Sequence, residues 1–229
     1  MLRRIKGVKF VLNNFLAFPL KEIPIIAAVL IIAFSVHEFA HAYTAYKFGD
    51  STAKDQGRLT LNPAQHLDPL GTIFMFVAGF GWARPVPVNR FHFKNPRLAG
   101  VIVSLMGPVS NFLLALIGYA ILYFYVVTGT SADFPGFILQ FLNYFVWINL
   151  VLFVFNLLPF PPLDGYRIIE DLVPPRTRAK LSHYEQYGAL IFLVLVIIPP
   201  LNSVTISPII GYVPELFLRS FQTLFSLFQ

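Results

Sequence analysis

The sequence predicts an all-α polytopic membrane protein, and three observations predict it. Long runs lack charge altogether, the first being Ile23 to Val36. Charged residues make up 12% of the chain, against about 25% in an ordinary soluble domain, and mean hydropathy is +0.68. Near the end of the first apolar run stands His37-Glu38-Phe39-Ala40-His41. Ionisable groups at membrane depth are costly, so such a cluster is a functional site by default.

About 20 apolar residues cross a bilayer as a helix. The first span is expected from Pro24 to Phe48 and contains the histidine motif. A polar, turn-rich stretch, Gly49 to Leu70, follows, with Gly-Arg-Leu-Thr-Leu-Asn-Pro and His66-Leu67-Asp68-Pro69. Gly71 to Gly81 is apolar but too short to cross, and reads as a short re-entrant or interfacial segment. In Trp82-Ala83-Arg84-Pro85-Val86-Pro87-Val88 the prolines alternate, so N–H groups are removed from one edge of an extended strand and the other stays free to pair. A polyproline-like linker is the competing reading of this β-like stretch. Leu98 to Val127 and Gly136 to Leu158 give a second and third span. Tyr187 to about Ile198, stopped by Pro199-Pro200, gives a fourth. Ile209 to Phe228, with Pro214, Glu215 and Arg219, either spans or lies on the surface. The chain thus divides into an N-terminal basic or interfacial segment (1–22), a membrane-embedded core (23–185) and C-terminal membrane helices (186–229).

Lys and Arg placement orients the spans. The loop 129–135 has none, whereas Trp82–Arg97 has Arg84, Arg90, Lys94 and Arg97, and the loop after the third span has Arg167, Arg176, Arg178 and Lys180. The latter two loops are expected to be cytoplasmic, which runs the first span from outside to inside. The basic N-terminus (Arg3, Arg4, Lys6, Lys9) votes for the inside too and leaves its own side open. No cleavable signal peptide is expected. No aromatic-plus-basic pattern points to nucleic acid. The chain has no cysteine, which removes disulfides, thiolate ligands and cysteine nucleophiles and leaves His and carboxylate as metal ligands.

Two histidines four apart share a helix face and can converge on one metal ion. Glu38, one residue on from the first, is placed as a base toward a water activated by that metal. Counting about 1.5 Å per residue from Ile23, His37 lies roughly 21 Å into a core about 30 Å thick, nearer the cytoplasmic side. Asn156-Leu157-Leu158-Pro159-Phe160-Pro161-Pro162-Leu163-Asp164-Gly165 closes the third span, its prolines stripping partners from the carbonyls of Phe155, Leu157 and Leu158. Unwound backbone there requires a polar cavity, which makes Asp164 a natural third ligand. Two His and one carboxylate leave a fourth position open, the catalytic pattern.

HEFAH together with NLLPFPPLDG resembles the site-2 protease family of intramembrane zinc metalloproteases. The likeness extends to MGPVSNF (Met106–Phe112), similar to that family's Gly-Pro-x-x-Asn turn at the head of a core span, and to GRLTLNPAQHLDPLGT and GWARPVPVN, which look like the compact bacterial branch without a PDZ domain. The resemblance covers residues 23 to 185. It implies a three-helix catalytic core with flanking helices, one Zn2+ held by His37, His41 and Asp164, and Glu38 as general base. It also implies that Asn156 helps orient substrate or the oxyanion. Tyr166 departs from the small residue of many relatives and should affect packing only.

Other positions keep two readings. His66 is either a substrate or second-sphere contact or a locally bonded turn residue. Asn111 either bonds across to the metal helix or satisfies backbone freed at Pro108. Val86 sits on the edge expected to accept an unwound substrate strand. His92 and His183 read as solvated. The implied function is hydrolysis of peptide bonds in or near transmembrane segments of membrane-protein substrates, in the cell membrane. Transmembrane substrates and lipid are the expected partners, without nucleic acid, and the oligomeric state stays open. A metal transporter or a non-proteolytic scaffold is the rival. Glu38 between the histidines is what hydrolysis needs, and no further acidic relay extends across the bilayer. Neither a Gly-x-Ser-Gly turn nor a pair of buried aspartates supports serine or aspartyl chemistry.

Overall fold

The computed structural model describes residues 18–78, 81–127 and 135–227. The basic stretch 1–17, most of the loop 129–135 and the end of the short apolar segment therefore lie outside the described residues. Nine helices run in order: α1 (Ile23–Lys47), α2 (Thr52–Asp55), α3 (Pro69–Ala78), α4 (Pro96–Val127), α5 (Gly136–Asn156), α6 (Asp164–Leu172), α7 (Pro175–Ile197), α8 (Pro199–Val204) and α9 (Ile206–Ser226), all counted among the described residues.

Three of them, α1, α4 and α5, are long and apolar enough to cross a membrane. The expected fourth span does not meet that measure. Its apolar part, Tyr187–Ile197, belongs to a helix that begins at Pro175 in polar sequence, and about 20 apolar residues are needed where it supplies too few. The β-like stretch after α3 forms no strand among the described residues, only an isolated antiparallel bridge between Leu67 and Ala83.

Antiparallel α4 and α5 form the centre. Asn111 bonds Asn149 across them at 2.9 Å, and Gly118 packs against Phe145 and Val146. α1 buries Ile26, Val29, Leu30, Ala33, His37, His41 and Ala45, a spacing of three and four that keeps the metal motif on the packed face. Asn111 reaches this helix at the Ala33 carbonyl, while the next residue, Phe112, packs on Phe217 and Phe221 of α9. The Met106–Phe112 stretch is also corrected: it lies inside α4, ten residues past its start, and Pro108 is accommodated within the helix.

Candidate metal centre

His37 and His41 are both buried on α1, with their Nε2 atoms 3.1 Å apart. Asp164, in the first turn of α6, brings Oδ2 to 3.1 Å from His37 Nε2 and 3.3 Å from His41 Nε2. The other ring nitrogens fix the tautomers. His37 Nδ1 donates to Asn111 Oδ1 at 2.7 Å, and His41 Nδ1 donates to the Val103 carbonyl at 2.7 Å. Asn111 presents its oxygen because its amide nitrogen is spent on Ala33 and Asn149. When the rings are neutral, both Nε2 atoms carry lone pairs, and both point at the buried Oδ2 of Asp164. In that state three acceptors this close need a cation between them, and the three residues form a group that could hold a metal ion. Their mutual separations match the roughly 3.3 Å expected of tetrahedral ligands about 2.05 Å from zinc.

The backbone makes room for this. A Cβ on Gly107 would stand 2.2 Å from His41 Nε2 and 2.7 Å from His37 Nε2, so α4 can approach the imidazoles only as glycine. A Cβ on Gly165 would stand 2.3 Å from the Leu157 carbonyl, so the start of α6 presses against the end of α5 where the prolines cut its ladder. Leu158 N–H bonds the Phe155 carbonyl at 3.1 Å, recovering one of the acceptors the prolines expose. The hydroxyl of Tyr166 donates to the Leu181 carbonyl at 2.8 Å, which ties α6 to α7.

Glu38 is buried beside the triad, and its Oε2 accepts from Val86 N–H at 3.0 Å. The edge expected to be free is engaged: Arg84 N–H donates to the His66 carbonyl at 2.7 Å and Val86 N–H to Glu38. A buried carboxylate must find donors, and this edge supplies one. Buried Arg58 pins the same segment through the carbonyls of Arg84 and Pro85, at 2.6 and 3.3 Å. Burial pulls the Arg58 pKa below its ordinary value, against the opposing pull of Glu38.

His66 is fully buried in its turn, with Nε2 2.7 Å from the Thr60 carbonyl, and its backbone carries the bridge to 83–84. Asn156 spends one amide hydrogen on the Leu152 carbonyl at 2.9 Å, within its own helix. His92 is not simply solvated, since its Nδ1 lies 2.8 Å from Asp50 Oδ1. Sequence reasoning missed Asn149, Arg58 and Asp50. A fully buried Asn in an apolar run was a signal for the first; the other two sat in turn-rich sequence without one.

Helices able to cross a membrane and a two-His, one-Asp metal centre with an adjacent glutamate define a membrane-associated metallopeptidase. The model of Peptidase family M50 matches residues 126–199. The chain is 55% identical over 216 residues to "Putative zinc metalloprotease YwhC" of Bacillus subtilis (strain 168), covering 93% of this chain and 98% of that protein. It is 32% identical over 183 residues to "Putative zinc metalloprotease Rip2" of Mycolicibacterium smegmatis, covering 78% of this chain and 68% of that one. A Mycobacterium tuberculosis protein of the same name is 32% identical over 179 residues, covering 76% and 66%. No solved structure matches the chain. The chain belongs to peptidase family M50, the site-2 proteases, and is a zinc metalloprotease.

Proposed function

We propose that this metalloprotease hydrolyses peptide bonds within or near transmembrane segments of membrane-protein substrates, with its active site nearer the cytoplasmic face. One observation supports the reading: His37, His41 and Glu38 are buried on a helix apolar enough to cross a membrane, where it meets α4 and the start of α6 that brings Asp164. The basic residues of 82–97 and 167–180 support the cytoplasmic placement.

His37, His41 and Asp164 hold the ion. Bound zinc supplies Lewis acidity, to an attacking water and to the scissile carbonyl. Glu38, held through Oε2 by Val86, takes the water proton on Oε1 and passes it to the leaving amine. Asn156 keeps a second amide hydrogen for the developing oxyanion. Asn111 and Val103 fix which imidazole nitrogen faces the ion. A helical substrate hides its carbonyls in its own ladder and must unwind first. Because Arg84 and Val86 already spend their N–H groups, an unwound strand pairs with this edge only once the segment shifts.

The test pairs zinc content with cut-site mapping, using full-length protein reconstituted with a single-span substrate. Wild type should hold one zinc and cut inside the apolar segment. Glu38→Gln should keep the zinc and lose cleavage, while His37→Ala and Asp164→Ala should lose both. Cutting confined to residues outside the bilayer, or zinc unaffected by Asp164→Ala, would overturn the reading.

A further inference from the structure

Arg58 is a buried cation at a place where a helix ending commonly buries an apolar side chain. α2 closes on Gly57, whose φ is +68°. Gly57 N–H bonds the Lys54 carbonyl at 2.9 Å, and Arg58 N–H bonds the Ala53 carbonyl at 2.7 Å. The left-handed glycine and these two bonds form a Schellman ending, in which the residue after the glycine usually packs an apolar group on the last turn. Ala53 is fully buried there, yet the residue after the glycine is an arginine, itself 5% exposed. Burying a charge is unfavourable unless something compensates it.

What Arg58 meets is the segment lying over Glu38. Pro85 and Pro87 have no N–H, so this stretch can be gripped only by its carbonyls and by the Val86 N–H. Arg58 Nη2 donates to the carbonyls of Arg84 and Pro85 at 2.6 and 3.3 Å, and Val86 N–H donates to Glu38 Oε2 at 3.0 Å. Nε is buried without a partner, so the side chain is not placed to satisfy its own donors. Burial draws the Arg58 pKa down, Glu38 opposes that, and Arg84 adds to it.

The joints between Arg58 and the metal helix are closed as well. Asp50 N–H bonds the Ala45 carbonyl of α1 at 3.0 Å, and the Asp50 carboxylate accepts from Thr52 N–H at 3.0 Å, at the start of α2. Arg58 is therefore held to the same helix that carries Glu38, and it fixes 84–86 relative to that helix. We propose that Arg58 is a positioning residue for peptide hydrolysis: by gripping the Arg84 and Pro85 carbonyls it keeps the Val86 N–H on Glu38 Oε2 and leaves Oε1 free for the proton. This rests on Glu38 being the general base.

The test is a kinetic cycle on full-length protein reconstituted with the single-span substrate. Arg58→Met keeps the apolar stem and removes the charge and its donors. It should hold one zinc and leave KM within about twofold while kcat falls about 100-fold, the scale of a small misplacement near the reacting atoms. Arg58→Lys keeps a cation able to reach one carbonyl and should lose about tenfold. If Arg58→Met does not fold, the lysine variant takes its place in the cycle. Val86→Pro deletes the N–H that Glu38 accepts from. Once that bond is gone Arg58 has nothing left to position, so the double variant should match Val86→Pro alone within about twofold. Losses that multiply in the double variant, or a loss carried by KM or by zinc content, would make Arg58 a support of the fold and overturn the proposal. Glu38→Gln, run alongside, separates the two readings. If it still cleaves, Glu38 is not the base and both fall. If it is inactive while Arg58→Met turns over like wild type, the role of Arg58 alone falls.

Discussion

At the scale of single residues, the metal centre depends on side chains that never touch the ion. Asn149 bonds Asn111, Asn111 accepts from His37, and the imidazole is thereby left with its lone pair toward the site. Such outer partners commonly account for 10- to 100-fold in metal affinity. Asn111→Ala should therefore weaken zinc binding by about 10- to 100-fold in chelator competition. Unchanged affinity would mean the helix alone orients the ring. Gly107→Ala should act by space rather than polarity: its Cβ would enter both Nε2 positions, so purified protein should lose zinc while its helical content stays. Retained zinc would show that α4 can retreat. The pairing of His37 and His41 was legible because the helix repeat fixes which residues share a face. Gly107 was visible only as part of a motif, since nothing in a sequence says which atom a missing Cβ would strike.

At the scale of elements, buried ion pairs hold the segments that carry the site. Arg90 contacts Glu170 and Asp171 at 3.4 and 2.8 Å, tying the 90–92 turn to the end of the helix that starts with Asp164. Glu170 and Asp171 are almost completely buried. Burial raises the Asp171 carboxyl above its ordinary pKa, and Arg90 and Arg178 pull against it. Arg90→Leu should destabilise the protein by about 3 kcal/mol in denaturant unfolding, since a buried carboxylate loses its nearest partner. Asp50 acts likewise between α1, α2 and the 89–92 turn, accepting from Thr52, Asn89 and His92. Burial pushes its carboxyl up, but these hydrogen bonds outweigh that and hold it below its ordinary value. A carboxyl lowered in the folded state stabilises above its unfolded pKa and loses that contribution as pH falls through the folded one. The stability gap between wild type and Asp50→Asn should thus be full at pH 7 and close below about pH 4. A gap constant with pH would assign the effect to shape instead. The apolar spans were readable from composition to within a few residues. The C-terminal helices were not: α7 crosses from polar to apolar sequence without a break, and α9 is set beside α4 and α5 by aromatic packing that composition does not record.

At the scale of the whole molecule, the fold builds its chemistry at a junction and then covers it. α1 brings the histidines and Glu38, α4 presses its glycine against them, and α6 delivers Asp164 from a proline-broken chain. The segment 84–86 lies over Glu38, anchored by Arg58, by the His66 carbonyl and by the carboxylate itself. The Leu67–Ala83 bridge joins this segment to the His66 turn, one residue before Arg84. If an unwound substrate must reach the ion past this segment, locking the bridge should slow turnover without touching the metal. Leu67→Cys with Ala83→Cys places two thiols opposite each other in a chain that has no other. Cross-strand neighbours sit about 4.5–5.5 Å apart at Cβ, within reach of a disulfide after small adjustment. Oxidised protein should keep its zinc and cleave a reconstituted transmembrane substrate at least about tenfold more slowly, with activity restored by reductant. A short unstructured peptide, which needs less clearance, should be slowed less. Equal rates in the oxidised and reduced forms would mean the substrate enters from another side, leaving Val86 a fixed support for Glu38 rather than part of a moving cover.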